Sequence, residues 1–289
     1  MEDPKLKRWL LEPGGLVERL RQMQGTTKGV VFAERAGMMP SKLSKLRLGQ
    51  QMPTDEDIRS WVRAAGADSE IEQELLAMLA EGHATNFARS LHQGQEAHQH
   101  TYNELVEQSD VVRMIERSFV PSLMQTRDYA TAVLTASAKL HKTSVDDIEA
   151  AVSARMQRKK FLYDSKYRFE LVVDETVLTR RIAPPEVMYA QCDRILDFMD
   201  LPNLRIGILP VYGNYHDVVR NSFELYGRIG VIENYYDDDV MGDDEWVAHV
   251  DAMTEIWQDA VEGDEARKII RSAMSHHAQG MKARKGKDR

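Results

Sequence analysis

An all-α N-terminal domain followed by a larger α+β (mixed) C-terminal domain is what this 289-residue sequence predicts. Three observations predict it. From Leu16 to about residue 110, apolar residues recur at helical spacing, interrupted by glycine and proline. Strand-like runs rich in β-branched and aromatic residues first appear far downstream, as YRFELVVD (167–174) and LRIGIL (204–209). Helical stretches near 145–163, 185–200 and 244–279 separate the strands without a tight βαβ rhythm. The expected boundaries are 1–68 for the first domain, 69–104 for a helical linker, 105–279 for the second domain and 280–289 for a basic disordered tail.

In the first domain, Leu16, Leu20 and Met23 mark a helix that Gly25-Thr26-Thr27 ends. A second runs from about Lys28 to Ala36, carries Val31 and Phe32 as its apolar residues, and stops at Gly37 in a left-handed conformation. A third runs from Pro40, well suited to a first helical position, to about Leu48, with Met39, Leu43 and Leu46 on one face and Gly49 as its stop. Pro53-Thr54-Asp55-Glu56-Asp57 opens a fourth with a cap and early acids, and turns Ile58, Trp61, Val62 and Ala65 inward. Residues 69–110 read as polar helix with breaks near Gly82 and Gly94, either a linker or a dimerisation element. Phe223–Gly227 and Ile229–Glu233 complete the predicted strands. No internal repeat is present.

Bulk properties narrow the class. At 43% hydrophobic and 29% charged residues the chain has apolar mass for a core and lacks the signature of disorder. It contains no run of about 18 apolar residues to cross a membrane. Its charged, proline-interrupted start is unlike a secretory leader, so a cytoplasmic location is expected. A single cysteine, Cys192, excludes a disulfide framework and any multi-cysteine metal site. The net charge of −8 is unevenly spread: residues 1–66 carry +4 and the rest −12, and Arg35 to Arg47 hold four cations and no acid. Such a patch suits a phosphate-facing surface; a solvated charged face is the alternative.

The stretch AERAGMMPSKLSKLRLGQQMPTDEDIRSWVRAAG (33–66) carries the chemistry. Two helices joined by a tight glycine turn can present the second across a major groove. With Leu43 and Leu46 buried, Ser41, Lys42, Ser44 and Lys45 fall outward, where hydroxyls and flexible cations reach base edges and phosphates. This stretch resembles the Xre/Cro-type helix-turn-helix. The resemblance implies an operator-binding surface of Lys28, Pro40, Ser41, Lys42, Ser44, Lys45 and Arg47 on double-stranded DNA. Four positions depart from the usual pattern. Met39 replaces a serine cap, Pro40 a base-contacting glutamine and Arg47 a glutamate, and Gly29 stands where a polar phosphate contact is usual.

Downstream, FVPSLMQTRDYATAVL (119–134) is similar to the PGLLQT-x-x-YA signature of a large C-terminal domain in actinobacterial Xre-like regulators, with Ser122 in place of the glycine. ARMQRKKFL (154–162), DETVLTRR (174–181), EVMYAQCDRIL (186–196) and LRIGILPVYGNYH (204–216) match further blocks in order. The resemblance implies a sensing or partner-binding module in a developmental or antitoxin-like regulator, often encoded beside a small partner protein. Within 119–134, Leu123 and Tyr129 are expected in the core, and Gln125 and Arg127 are the candidates for exposed recognition of a partner.

Other signals carry less. His92, His98 and His100 cluster, but residues two apart on a helix point to different faces and no third ligand is evident, so they read as surface histidines. The acids at 237–239 and 243–245 lack calcium-loop spacing and read as a loop and a helix's acidic first turn. Cys192, Tyr129, Tyr189, Phe198 and Trp257 read as core, and His216 with Asp217 are too isolated to argue for a hydrolase. The expectation is a homodimeric DNA-binding regulator that is not an enzyme and needs no cofactor or metal. The alternative is an antitoxin-type interaction protein that sequesters a small partner and autoregulates its operon.

Overall fold

The computed structural model describes residues 10–91, 94–141, 144–213, 215–216, 219–234 and 238–287. The chain divides into two compact units, Met1–Asn86 and Phe87–Arg289.

The first unit is all helical: α1 (Leu16–Gln24), α2 (Gly29–Arg35), α3 (Pro40–Arg47), α4 (Asp55–Ala65) and the start of α5 (Ser69–Leu91). Each glycine stop is used as expected. Gly37 takes φ 65°, and behind it the Met38 N–H donates to the Ala33 carbonyl (2.9 Å), closing α2 and turning the chain into α3. Thr54 and Asp57 form a reciprocal capping box at the start of α4. The core gathers Leu16, Leu20, Phe32, Leu43, Leu46 and Ile58 around Trp61, whose ring lies 5.2 Å from Phe32 and whose indole N–H donates to the Leu20 carbonyl (2.9 Å). Two apolar expectations are corrected. Val31 and Met39 stand exposed, because α2 and α3 are short and turn only one narrow face each to the core.

The expected linker is also redrawn. α5 runs unbroken through Gly82, and its Leu75, Leu76 and Leu79 belong to the first unit's core. The break falls at Gly94, after which α6 (Gln95–Glu107) buries Tyr102, Leu105 and Val106 in the second unit. Residues 69–104 are therefore shared between the units.

The second unit is α+β. Its six-stranded sheet has β1 (Val111–Glu116), β2 (Arg168–Asp174), β3 (Leu204–Leu209), β4 (Phe223–Tyr226), β5 (Ile229–Glu233) and β6 (Asp238–Val240), in the order β3-β2-β1-β4-β5-β6. The first three are parallel, and β4 to β6 continue antiparallel from the central β1. α7 (Arg127–His141), α8 (Ile148–Gln157) followed by a 3-10 segment (Arg158–Tyr163), the short α9 (Glu175–Thr179) and α10 (Pro185–Phe198) precede or separate the parallel strands. Two helices end the chain, α11 (Asp243–Asp259) and α12 (Gly263–Lys287). On one sheet face Ile115, Val172, Leu209 and Phe223 pack with Met253 and Ile256 of α11. Gly207 permits this layer: a Cβ there would stand 2.6 Å from the Trp257 ring.

The helix expected over 244–279 is interrupted, because Val261 exchanges two 2.9 Å backbone hydrogen bonds with Ile208 and adds a bridge at the β3 edge. The expected disordered tail is helix as far as Lys287. Of the acid run, Asp238 and Asp239 lie in β6 rather than a loop, Asp237 falls outside the described residues, and Asp243, Asp244 and Glu245 form the acidic first turn of α11. Cys192 is buried, as expected. Among the described residues no helix is long and apolar enough to cross a membrane.

Candidate functional site

The first unit presents the outer face of α3. Pro40 supplies the first helical residue, so no N–H is wasted there, and no acid lies in the first turn. Burial of Leu43 and Leu46 fixes the helix's rotation and leaves Pro40, Ser41, Ser44 and Lys45 exposed. Lys28, exposed just before α2, adds a second cation; neither Lys28 nor Lys45 makes an ion pair among the described residues. Two further candidates are engaged elsewhere. Lys42 Nζ lies 2.6 Å from the buried Asp57 carboxylate. Arg47 folds back, its carbonyl accepting from Arg21 Nε (2.8 Å) and its Nη1 reaching within 3.5 Å of where a Gly29 Cβ would stand. The buried Arg47 Nε finds no hydrogen-bond partner among the described residues. The outer face of α3 thus offers two hydroxyls and one cation with no ion pair among the described residues, and Lys28 is exposed before α2; such groups can pair with phosphate oxygens and exchange hydrogen bonds with base edges.

The second unit holds a buried polar layer that sequence reading missed. Arg158, almost wholly buried, donates from Nε to Asn103 Oδ1 (2.8 Å), from Nη1 to Ser122 Oγ (2.8 Å) and from Nη2 to the Gln99 carbonyl and Oε1 (3.1 Å each). Arg155 donates to Gln99 Oε1 (2.9 Å) and Gln125 Oε1 (2.7 Å). From the sheet come Glu116, Glu224 and Tyr226, the last donating to Glu224 (2.5 Å). The Tyr102 hydroxyl meets Glu233 and Asp238, each at 3.3 Å, and Asp238 also holds His98 Nε2 at 3.2 Å. Loss of hydration raises the pKa values of Glu116, Glu224, Tyr102 and Tyr226 and lowers those of both arginines, Arg155 to about 10. Glu233 is exposed as a residue, yet its carboxyl turns toward Tyr102. Lost hydration there, with Asp238 and Glu224 nearby, pushes it up to about 8. The legible signal was spacing: Gln99 and Asn103 lie four apart, Arg155 and Arg158 three apart, each pair on one helical face.

This layer fixes a pH dependence. Below about pH 4.5 the folded and unfolded chains both hold the Glu233 proton. From there to about pH 8 the unfolded chain releases it while the folded chain keeps it, so stability falls as pH rises through that window. Glu116 and Glu224, raised in the same direction, add to the fall. The thermal midpoint is expected to drop between about pH 5 and about pH 8, with Glu233→Gln flattening the profile. A variant profile that overlays the wild type sinks this account.

Within 119–134, Leu123 and Tyr129 are fully buried as expected. Gln125 is a correction. It is 2% exposed, its amide donating to the Val120 carbonyl (2.7 Å) and its oxygen accepting from Arg155, so it holds the polar layer together and is not a recognition residue. Arg127 is exposed, paired with Glu149 (2.6 Å) beside a groove of about 240 Å³ lined by Thr126, Glu186 and Val187. A larger hollow of about 440 Å³ lies along β2 and β3, and two of its arginines are already paired, Arg205 with Glu262 and Arg267 with Asp200. The histidine expectation divides. His98 is buried rather than superficial, His100 is exposed near Glu96 (3.7 Å), and His92 lies outside the described residues. His216 Nδ1 stands 2.5 Å from Asp259, which raises its pKa; Asp217 lies outside the described residues. No group of three metal-ligating side chains occurs among the described residues.

Residues 99–272 match the family model described as a domain of unknown function, DUF5753. The match runs from α6 into α12 and takes in all six strands. No curated protein and no solved structure matches the chain.

Proposed function

We propose that this chain, which belongs to the DUF5753 family, is a sequence-specific DNA-binding transcriptional regulator whose N-terminal unit contains an Xre/Cro-type helix-turn-helix. The observation that carries the reading is the outer face of α3, where Ser41, Ser44 and Lys45 stand exposed with no acid in the first turn. The Gly37 turn and the buried Leu43 and Leu46 support it, since they hold α3 as a rigid, projecting second helix. The net charge of +4 over residues 1–66 supports it as well. One unit covers one half-site, so the active species is a homodimer reading half-sites about one helical turn apart. The DUF5753 unit senses a ligand or binds a partner protein, with Arg127 and its groove as the exposed contact. Catalysis has no part in this reading.

The test is a salt titration of the full chain against a labelled random-sequence duplex pool, followed by selection of bound sequences. Expected are an affinity that falls linearly on log–log axes with salt and an enriched, two-fold symmetric sequence. Absence of any salt-dependent binding overturns the proposal. For the second unit, Arg127→Ala is expected to leave melting and duplex affinity unchanged while reducing regulation in a reporter assay. Unaltered regulation removes Arg127 from the functional surface.

A further inference from the structure

Lys42 and Lys45 lie three apart on α3 and look equivalent in the sequence. They are not equivalent in the fold. Lys45 is exposed and makes no ion pair among the described residues. Lys42 Nζ sits 2.6 Å from Asp57 Oδ1, on a carboxylate whose side chain is only 6% exposed. The other oxygen of that carboxylate accepts from the Thr54 N–H (3.0 Å), and the Asp57 N–H donates to Thr54 Oγ1 (3.2 Å). One carboxylate therefore caps α4 and ties α3 to it.

From this juxtaposition we infer that Asp57 withholds Lys42 from nucleic acid, making Lys42 a positioning residue that seats α3 and leaving phosphate pairing on this helix to Lys45. The inference rests on the DNA-binding reading above. For Lys42 to reach a phosphate it must leave a buried carboxylate holding only its cap hydrogen bond, and an uncompensated buried charge is strongly unfavourable. A solvated phosphate offers Lys42 a weaker exchange than it offers Lys45, which abandons no partner. Asp57 thereby limits the number of sequence-independent contacts. It favours selectivity over raw affinity, as repulsive or competing elements do in other recognition surfaces.

The experiment compares the full-length wild type with Lys42→Met, Lys45→Met, Asp57→Asn and the Lys42→Met/Asp57→Asn double variant on a random-sequence duplex. Affinity is measured across a potassium chloride series, and melting is followed by circular dichroism. Lys45→Met is expected to reduce the log–log salt slope by about 0.9, and Lys42→Met to leave it unchanged. Asp57→Asn keeps an oxygen to cap α4 but releases Lys42, so its slope steepens by about 0.9 and it binds more tightly at low salt. The double variant loses that gain. A gained salt dependence that vanishes with Lys42 is an outcome no loss of packing produces. A flattening by Lys42→Met equal to that of Lys45→Met overturns the inference while the DNA-binding reading stands. If either single variant at Lys42 or Asp57 melts at the assay temperature, the double variant, which strands no charge, is compared with Lys45→Met instead: a wild-type slope is expected, and a flattening equal to that of Lys45→Met overturns the inference. If the folded wild type shows no salt-dependent binding, the DNA-binding reading falls and takes the inference with it.

Discussion

Replacing Arg158 with alanine is expected to destabilise the C-terminal unit by roughly 3–6 kcal/mol, a large fraction of the ~5–15 kcal/mol that holds a typical domain folded. Every guanidinium nitrogen of Arg158 donates a hydrogen bond, and the residue is 1% exposed. Truncation strands the part-buried Asn103 Oδ1 and Ser122 Oγ and takes one donor from Gln99 Oε1, which keeps Arg155, and each orphaned group costs about 1–3 kcal/mol. It also removes the guanidinium that lies 5.1 Å from the Tyr102 ring centroid. Arg158→Lys restores the charge but not the planar fork, so it is expected to recover only part of the loss. Arg158→Met separates the two contributions: it refills volume and removes a buried charge, leaving only the orphaned acceptors as a cost. Urea unfolding followed by far-ultraviolet circular dichroism measures all three. An alanine variant within about 1 kcal/mol of wild type means water replaces the arginine freely, and the polar layer is then not a structural unit.

The depth of this layer explains why its spacing alone did not reveal its partners, while much around it was legible in the sequence. β3 and β5 occur where their apolar runs begin and end, because turn-forming residues bound them on both sides. The helices of the first unit follow their glycines and their capping box for the same local reason. β1 is not among the strands the sequence predicts, since VVRMIE is short and its Arg113 pairs outward with Glu170 on β2. β6 looks like a solvated acid run, yet Asp238 is held by two side chains of α6, contacts about 140 residues distant in the chain.

Gln125 shows the limit most clearly. An amide two residues before an arginine at a proline-led turn reads as surface, and only the arrival of Arg155 from another helix makes it interior. Lys42 shows it on the candidate DNA face, where periodicity gave the correct outward side but could not reveal that Asp57 comes within reach from α4. Periodicity describes one element at a time; the partners of a polar side chain are set by packing between elements.

Trp61→Ala is expected to cost the N-terminal unit about 3–5 kcal/mol and to abolish duplex binding with it. Trp61 has no exposed surface, contacts Phe32 with ring centroids 5.2 Å apart, and donates from its indole to the Leu20 carbonyl on α1. It therefore ties α4 to α1 and α2 at once, in a unit too small to offset a cavity of that size from a second core. Trp61→Phe retains most of the apolar volume while removing one donor from the Leu20 carbonyl, which keeps its backbone bond within α1, so its cost is expected near the ~1 kcal/mol of a single hydrogen bond. Because Ser41, Ser44 and Lys45 stand exposed while Trp61, Phe32 and Leu20 are buried, the two variants separate folding from recognition. Trp61→Phe should bind a random duplex with the wild-type salt slope at a temperature where it remains folded, whereas Trp61→Ala should show no binding under the same conditions. Retained duplex binding by Trp61→Ala, with an unchanged slope, would mean that the DNA-contacting surface lies outside this helical unit.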